Sequence, residues 1–188
     1  MIKIIAPHYL ILSLLLMISS QYANAEASES QLSAVPKTIL WQESEYKLSW
    51  SNYADEILYL EYLKAGDTTD SWENMVTVQL SNETMEAAVK KFIEISKPFR
   101  TEDVRLMKND QTGEILMDTV LLDAPHDFIE HNLIKLTKGQ DGRLVKVYFQ
   151  TRLKLLEAAK DNSLVANKIG KPRGDRLNFL SSFIFFGK

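Results

Sequence analysis

Two consecutive segments, "DVRLMKNDQTGEILMDTVLL" and "NLIKLTKGQDGRLVKVYFQTR", do most to limit what this chain can fold into. Each holds two apolar stretches around a short polar turn that contains Gly113 or Gly142. Glycine accepts the positive φ that tight hairpin turns demand, so each segment reads as a hairpin. In the second, Val145, Val147 and Phe149 share one side, and Lys146, Tyr148 and Gln150 share the other. Hairpins in succession build an antiparallel sheet.

Other stretches extend that sheet. "YKLSW" (46–50) and "EILYLEYL" (56–63) are rich in the aromatic and aliphatic residues that suit strands, with turn residues between them. "MVTVQL" (75–80) sets Val76, Val78 and Leu80 against Thr77 and Gln79, the alternation of a half-buried strand. "SNETMEAAVKKFIEISKPF" follows with helical spacing. Ser81 or Asn82 can cap its start, acids suit its positive end, and Pro98 stops it. "RLKLLEAAKDNSLVAN" (152–167) reads as a second helix and "KIGKPRGDR" (168–176) as a basic loop carrying an Arg-Gly-Asp triplet. The aromatic-rich element 177–186 fits a helix or a strand. No internal repeat is evident. The expected architecture is α+β: an antiparallel sheet built largely of hairpins, with two main helices packed on it.

The first residues direct the chain elsewhere. Lys3 precedes an apolar run of about ten residues, and Ala23 and Ala25 then give the small-x-small pattern of a signal-peptidase site. A membrane span needs about 20 apolar residues, so this run reads as a cleaved signal and not an anchor. We therefore expect a signal peptide over 1–25, a flexible leader over 26–36, and one α+β domain over 37–188. The absence of cysteine excludes disulfides, thiolate nucleophiles and cysteine metal sites. An exported, cysteine-free domain fits a bacterial periplasm best, with secretion as the other destination. The net charge of −3 lacks a dominant basic block, which argues against nucleic acid as a partner.

Two places hold candidate site residues. "PHDFIEHN" (125–132) gathers His126, Asp127, Glu130 and His131, side chains that can ligate a metal or trade protons, on what reads as a surface loop. Their spacing misses the H-x-x-E-H pattern, and no metal or other cofactor is expected. No G-x-S-x-G elbow or phosphate-cradling loop occurs in the sequence. The second place is "AGDTTDSWENM" (65–75), where Trp72 and Glu73 follow a run of turn residues. Trp72 either folds back over the end of the sheet or forms one wall of a ligand groove with its acidic neighbours.

The stretch "EYLKAGDTTDSWENMVTVQ" resembles a segment of small exported Gram-negative proteins of unassigned function. That resemblance implies export and no particular activity. The order of elements is similar to that of Mog1/PsbP-like domains, which implies a binding or accessory module. The preferred reading is a non-enzymatic exported protein that recognises a protein, an envelope component or a small ligand, with a protein or envelope component favoured. The alternatives are a small hydrolase or metal-dependent enzyme using the His126–His131 segment, and a secreted factor acting on a host or competitor. Processing is directly testable: the protein isolated from its own cells should have the intact mass of residues 26–188.

Overall fold

The computed structural model describes residues 27–28 and 32–185, so the expected signal sequence lies outside the described residues. Eight strands form one antiparallel sheet: β1 (Thr38–Trp41), β2 (Ser44–Ala54), β3 (Ile57–Leu63), β4 (Asn74–Ser81), β5 (Arg105–Lys108), β6 (Ile115–Asp123), β7 (Phe128–Lys138) and β8 (Leu144–Lys154). Their order across the sheet is β1-β2-β3-β4-β8-β7-β6-β5. Both expected hairpins are present, and Gly113 and Gly142 hold the positive φ that their turns require. The two-residue turn between β2 and β3 places Asp55 and Glu56 at positive φ, the hairpin geometry that matches strand twist.

The register sorts side chains onto two unlike faces. One is apolar: Leu60, Tyr62, Val76, Val78, Leu133, Val147 and Phe149 pack with Trp41 and Tyr46 of the first hairpin. Trp41 stacks on Phe149 with ring centroids 4.3 Å apart, and Phe179 and Phe183 close around it. The other face carries a run of polar residues, Glu61, Thr77, Gln79, Asn132 and Gln150, all buried. Helix α1 (Met85–Ser96) covers its β6–β8 side through Ala88 and Phe92 against Met117, Ile134 and Tyr148.

The helix α1 begins later than its sequence suggests. Thr84 provides the cap by accepting from the Ala87 N–H, because Ser81 still belongs to β4, opposite Leu144. The single helix expected over 152–167 also differs. Arg152–Lys154 stay in β8 because pairing with Phe128–Glu130 of β7 continues to the strand's end. The chain then forms α2 (Leu155–Lys160), breaks at Asp161, and continues as α3 (Asn162–Val165) and a π turn (Ala166–Gly170). Of the element expected over 177–186, residues 177–182 form the end of helix α4 (Arg173–Ser182), whose Leu180 is fully buried on the apolar face; residues 183–185 leave the helix, and residue 186 lies outside the described residues. Lys135, buried on β7, donates to the Ser181 and Phe183 carbonyls at 2.8 and 3.2 Å and so meets the negative end of α4. The described part of the leader packs as well: Ala27 and Val35 are buried in the apolar cluster, and Leu32 lies against it.

The topology uncovers a repeat that the sequence conceals. Two four-strand meanders, each followed by helix, meet where β4 pairs with β8 and Val78 faces Val147. "MVTVQL" leading to "MEAA" in the first half answers "LVKVYF" leading to "LEAA" in the second. The connections differ in length, which hides the match along the chain. Phe149 stands at this junction under Trp41. Replacing it with alanine should cost about 3–5 kcal/mol of stability through the cavity left behind, read as a lower urea midpoint with an unchanged slope.

Candidate functional site

At one end of the sheet the β3–β4 loop, the start of β7, the end of β8 and the helical segment after it enclose a cleft of about 350 Å³. Its walls include Trp72, Phe128 and Arg152, with Asp67, Asp70, Glu73 and Lys168 around the rim. Arg152 organises this end. Its guanidinium lies 3.9 Å from the Trp72 ring centroid and 4.7 Å from that of Phe128. Two desolvated cation–π contacts of this kind contribute about 2 kcal/mol or more each. The side chain is only 3% exposed, and its Nη2 donates to Glu130 Oε2 at 3.2 Å.

Glu130 is itself fully engaged. Its Oε1 accepts from Gln150 Nε2 and Asn132 Nδ2, both at 3.1 Å, and Gln150 in turn accepts from Thr77 Oγ1 at 2.7 Å. This chain of bonds carries the polar run on the sheet into the back of the cleft. Arg152 Nε and Nη1 have no hydrogen-bond partner among the described residues. Glu73 receives Lys168 at 2.8 Å across the rim, which ties the loop before β4 to the π turn. Trp72 thus does fold back over the end of the sheet, packed with Leu63 and Met75, and its ring also lines the cleft.

The residues of 125–132 do not converge. From Phe128 onward the segment is strand β7 and not a surface loop, because it pairs with both β6 and β8. Alternation along a strand sends Glu130 and His131 to opposite faces. His131 is fully buried on the apolar face, where its Nε2 meets Asp118 Oδ1 at 2.9 Å. His126 pairs instead with Asp123 at 2.8 Å. Asp127, at positive φ, accepts from the Leu155 and Leu156 N–H groups and so caps the start of α2. Among the described residues no group of three or more His, Asp or Glu side chains is placed to hold a metal ion. Of the six residues singled out in the sequence, Trp72 and Glu73 line the cleft and Glu130 stands behind it through its bond with Arg152, whereas His126, Asp127 and His131 lie elsewhere.

Two further groupings escaped sequence reasoning. Arg173, in the first turn of α4, donates to buried Asp118 at 2.7 Å and to Glu102 at 3.3 Å, so the Arg-Gly-Asp triplet is part of an ion-pair network. Burial raises the Asp118 carboxyl, but hydrogen bonds from His131 and Arg173 outweigh that and hold it below the usual carboxylate range. Arg176 bonds Thr151 Oγ1 and the Lys168 carbonyl and lies over the Phe149 ring. The segment read as a basic loop therefore spends Lys168, Arg173 and Arg176 on internal contacts.

A family model matches residues 33–183, a range that includes all eight strands and every residue of the cleft. The chain belongs to that family, which is uncharacterised. Comparison with curated proteins and with solved structures gives no match. No described helix is long and apolar enough to cross a membrane. Across the family span the outstanding buried charge is Glu61, on the polar face of β3. Burial, the largest effect, raises its carboxyl from 4.5 to about 7 despite the nearby Arg152 charge, and its Oε1 has no hydrogen-bond partner. A carboxyl whose folded pKa lies above its unfolded one favours folding most below the unfolded value. That contribution is lost as pH rises from 4.5 through about 7. Glu61→Gln should therefore match the wild type below pH 4.5 and exceed its stability above pH 7 by up to about 3 kcal/mol, measured by denaturation across pH.

Proposed function

We propose that the protein is exported to a periplasm and acts there as a non-enzymatic binding module whose recognition site is the cleft around Arg152. Export rests on the amino-terminal sequence: a basic start, an apolar run and the Ala23–Ala25 pattern. Binding at the cleft rests above all on one observation. A guanidinium packed on two aromatic rings, with two donor nitrogens unmet, lies in the wall of a cleft bordered by both acids and bases. Aromatic side chains and arginine are the residues that most often anchor recognition, since they offer large rigid contact areas with directed donors. The engagement of His126 and His131 in separate pairs on separate sites supports binding over hydrolysis. The element order, similar to that of Mog1/PsbP-like modules, is in keeping with an accessory role.

The test uses a photoreactive amino acid introduced in cells at Ser71, an exposed residue on the cleft rim, and for comparison at Lys90 on the outer side of α1. Irradiation should give a discrete adduct from position 71 and none from position 90. Adducts of equal yield and pattern from both positions would remove the cleft as the recognition site.

A further inference from the structure

We infer that the cleft is built for a zwitterion, specifically a short peptide with both ends free, its carboxylate on Arg152 and its ammonium on Asp67 and Asp70. This deepens the reading of the cleft as a binding site and rests on it. The carboxylate end follows from Arg152. Its guanidinium packs on the rings of both Trp72 and Phe128, and its Nε and Nη1 have no acceptor among the described residues. Buried donors without acceptors are rare and costly, and planar guanidinium donors suit a carboxylate.

The ammonium end follows from the charge left over at the rim. Glu73 is paired with Lys168, Glu157 lies 3.9 Å from Lys154, and Glu130 answers Arg152. Asp67 and Asp70 make no ion pair among the described residues, yet both line the cleft. Burial raises the Asp67 carboxyl, with nearby Glu73 adding to the effect and Lys64 opposing it, a setting that an incoming cation would relieve. An anion alone would meet these carboxylates, and a cation alone would leave Arg152 unsatisfied. A ligand with both charges answers both. A volume of about 350 Å³ suits a peptide of a few residues. Arg152 Nε and Nη1 are shielded from solvent, so a carboxylate reaches them only as the wall of the cleft shifts.

Titration calorimetry and tryptophan fluorescence of the full mature chain, with three probes, test this. Tri-alanine carries both charges, N-acetyl-tri-alanine imitates the carboxyl end of a protein, and tri-alanine amide imitates an amino end. Tri-alanine should bind with a change in fluorescence that Trp72→Phe diminishes, and each blocked form should bind at least about tenfold more weakly. The double variant Asp67→Asn, Asp70→Asn alters exposed or half-exposed rim residues and should erase the discrimination against the acetylated form. Arg152→Lys keeps a charge for Glu130 but loses the planar donors, and should erase the discrimination against the amide. Equal binding of the three probes would overturn the proposal, as would no binding of tri-alanine up to about 10 mM. A discrete adduct from position 71 with no tri-alanine binding would leave the cleft as a recognition site and eliminate the zwitterion. Tighter binding of N-acetyl-tri-alanine than of tri-alanine would assign the cleft to a protein's carboxyl end instead.

Discussion

The pairing of β4 with β8 is the constraint on which the rest of the molecule depends. Asn74–Ser81 lie against Leu144–Thr151 without interruption, although about sixty residues separate the two strands along the chain. Each strand completes a meander that has a free edge of its own, and joining them turns two four-stranded units into one sheet. A four-stranded meander with a single helix has little core. The joined sheet has a continuous apolar face from Ile39 to Leu133, large enough to bury Trp41, Phe149 and Leu180 together. Long-range pairing of this kind has to overcome the entropy of closing a large loop.

The same junction creates the chemistry at the end of the sheet. Extending β8 to Lys154 carries Arg152 past Asn74, the first residue of β4, where the Glu73 carbonyl accepts from its backbone N–H at 2.8 Å. Its side chain then meets Glu130 from β7 and packs on the rings of Trp72 and Phe128. No single element could supply this clamp. The buried polar run behind it, from Glu61 through Thr77, Gln150 and Asn132, forgoes hydrophobic burial on that face in exchange for a directed network. Such networks rigidify a site when satisfied and are costly where they are not, as at Glu61.

Much of the fold was legible because it rests on local periodicity. The two glycine hairpins, the "MVTVQL" strand and the body of α1 follow from side-chain alternation and helical spacing alone. What was lost lay where tertiary pairing overrode local pattern. Arg152–Lys154 carry helix-compatible residues but stay in the sheet because β7 offers them partners. Thr38–Trp41 is too short to announce itself as a strand and becomes one by pairing with Ser44–Lys47. The site was half legible: the oddity of Trp72 beside Glu73 was visible in the sequence, whereas Arg152 looked like one charge among many. A lone arginine flanked by leucine and threonine in a long strand gives no local sign that two rings from distant segments will enclose it.

The sequence by itself determined the absence of disulfides and an antiparallel sheet with helices, because composition and short-range spacing are properties of the chain before it folds. Only the tertiary structure decided which charges would be consumed and which would stay unmet. Arg173 disappears into a pair with Asp118, His131 is buried on the far face from Glu130, and Arg152 packs on two rings with donors to spare. The physical reason is that an ionisable side chain takes its role from its neighbours in space. Those neighbours came from the register of β4, β7 and β8, which no local stretch of sequence encodes.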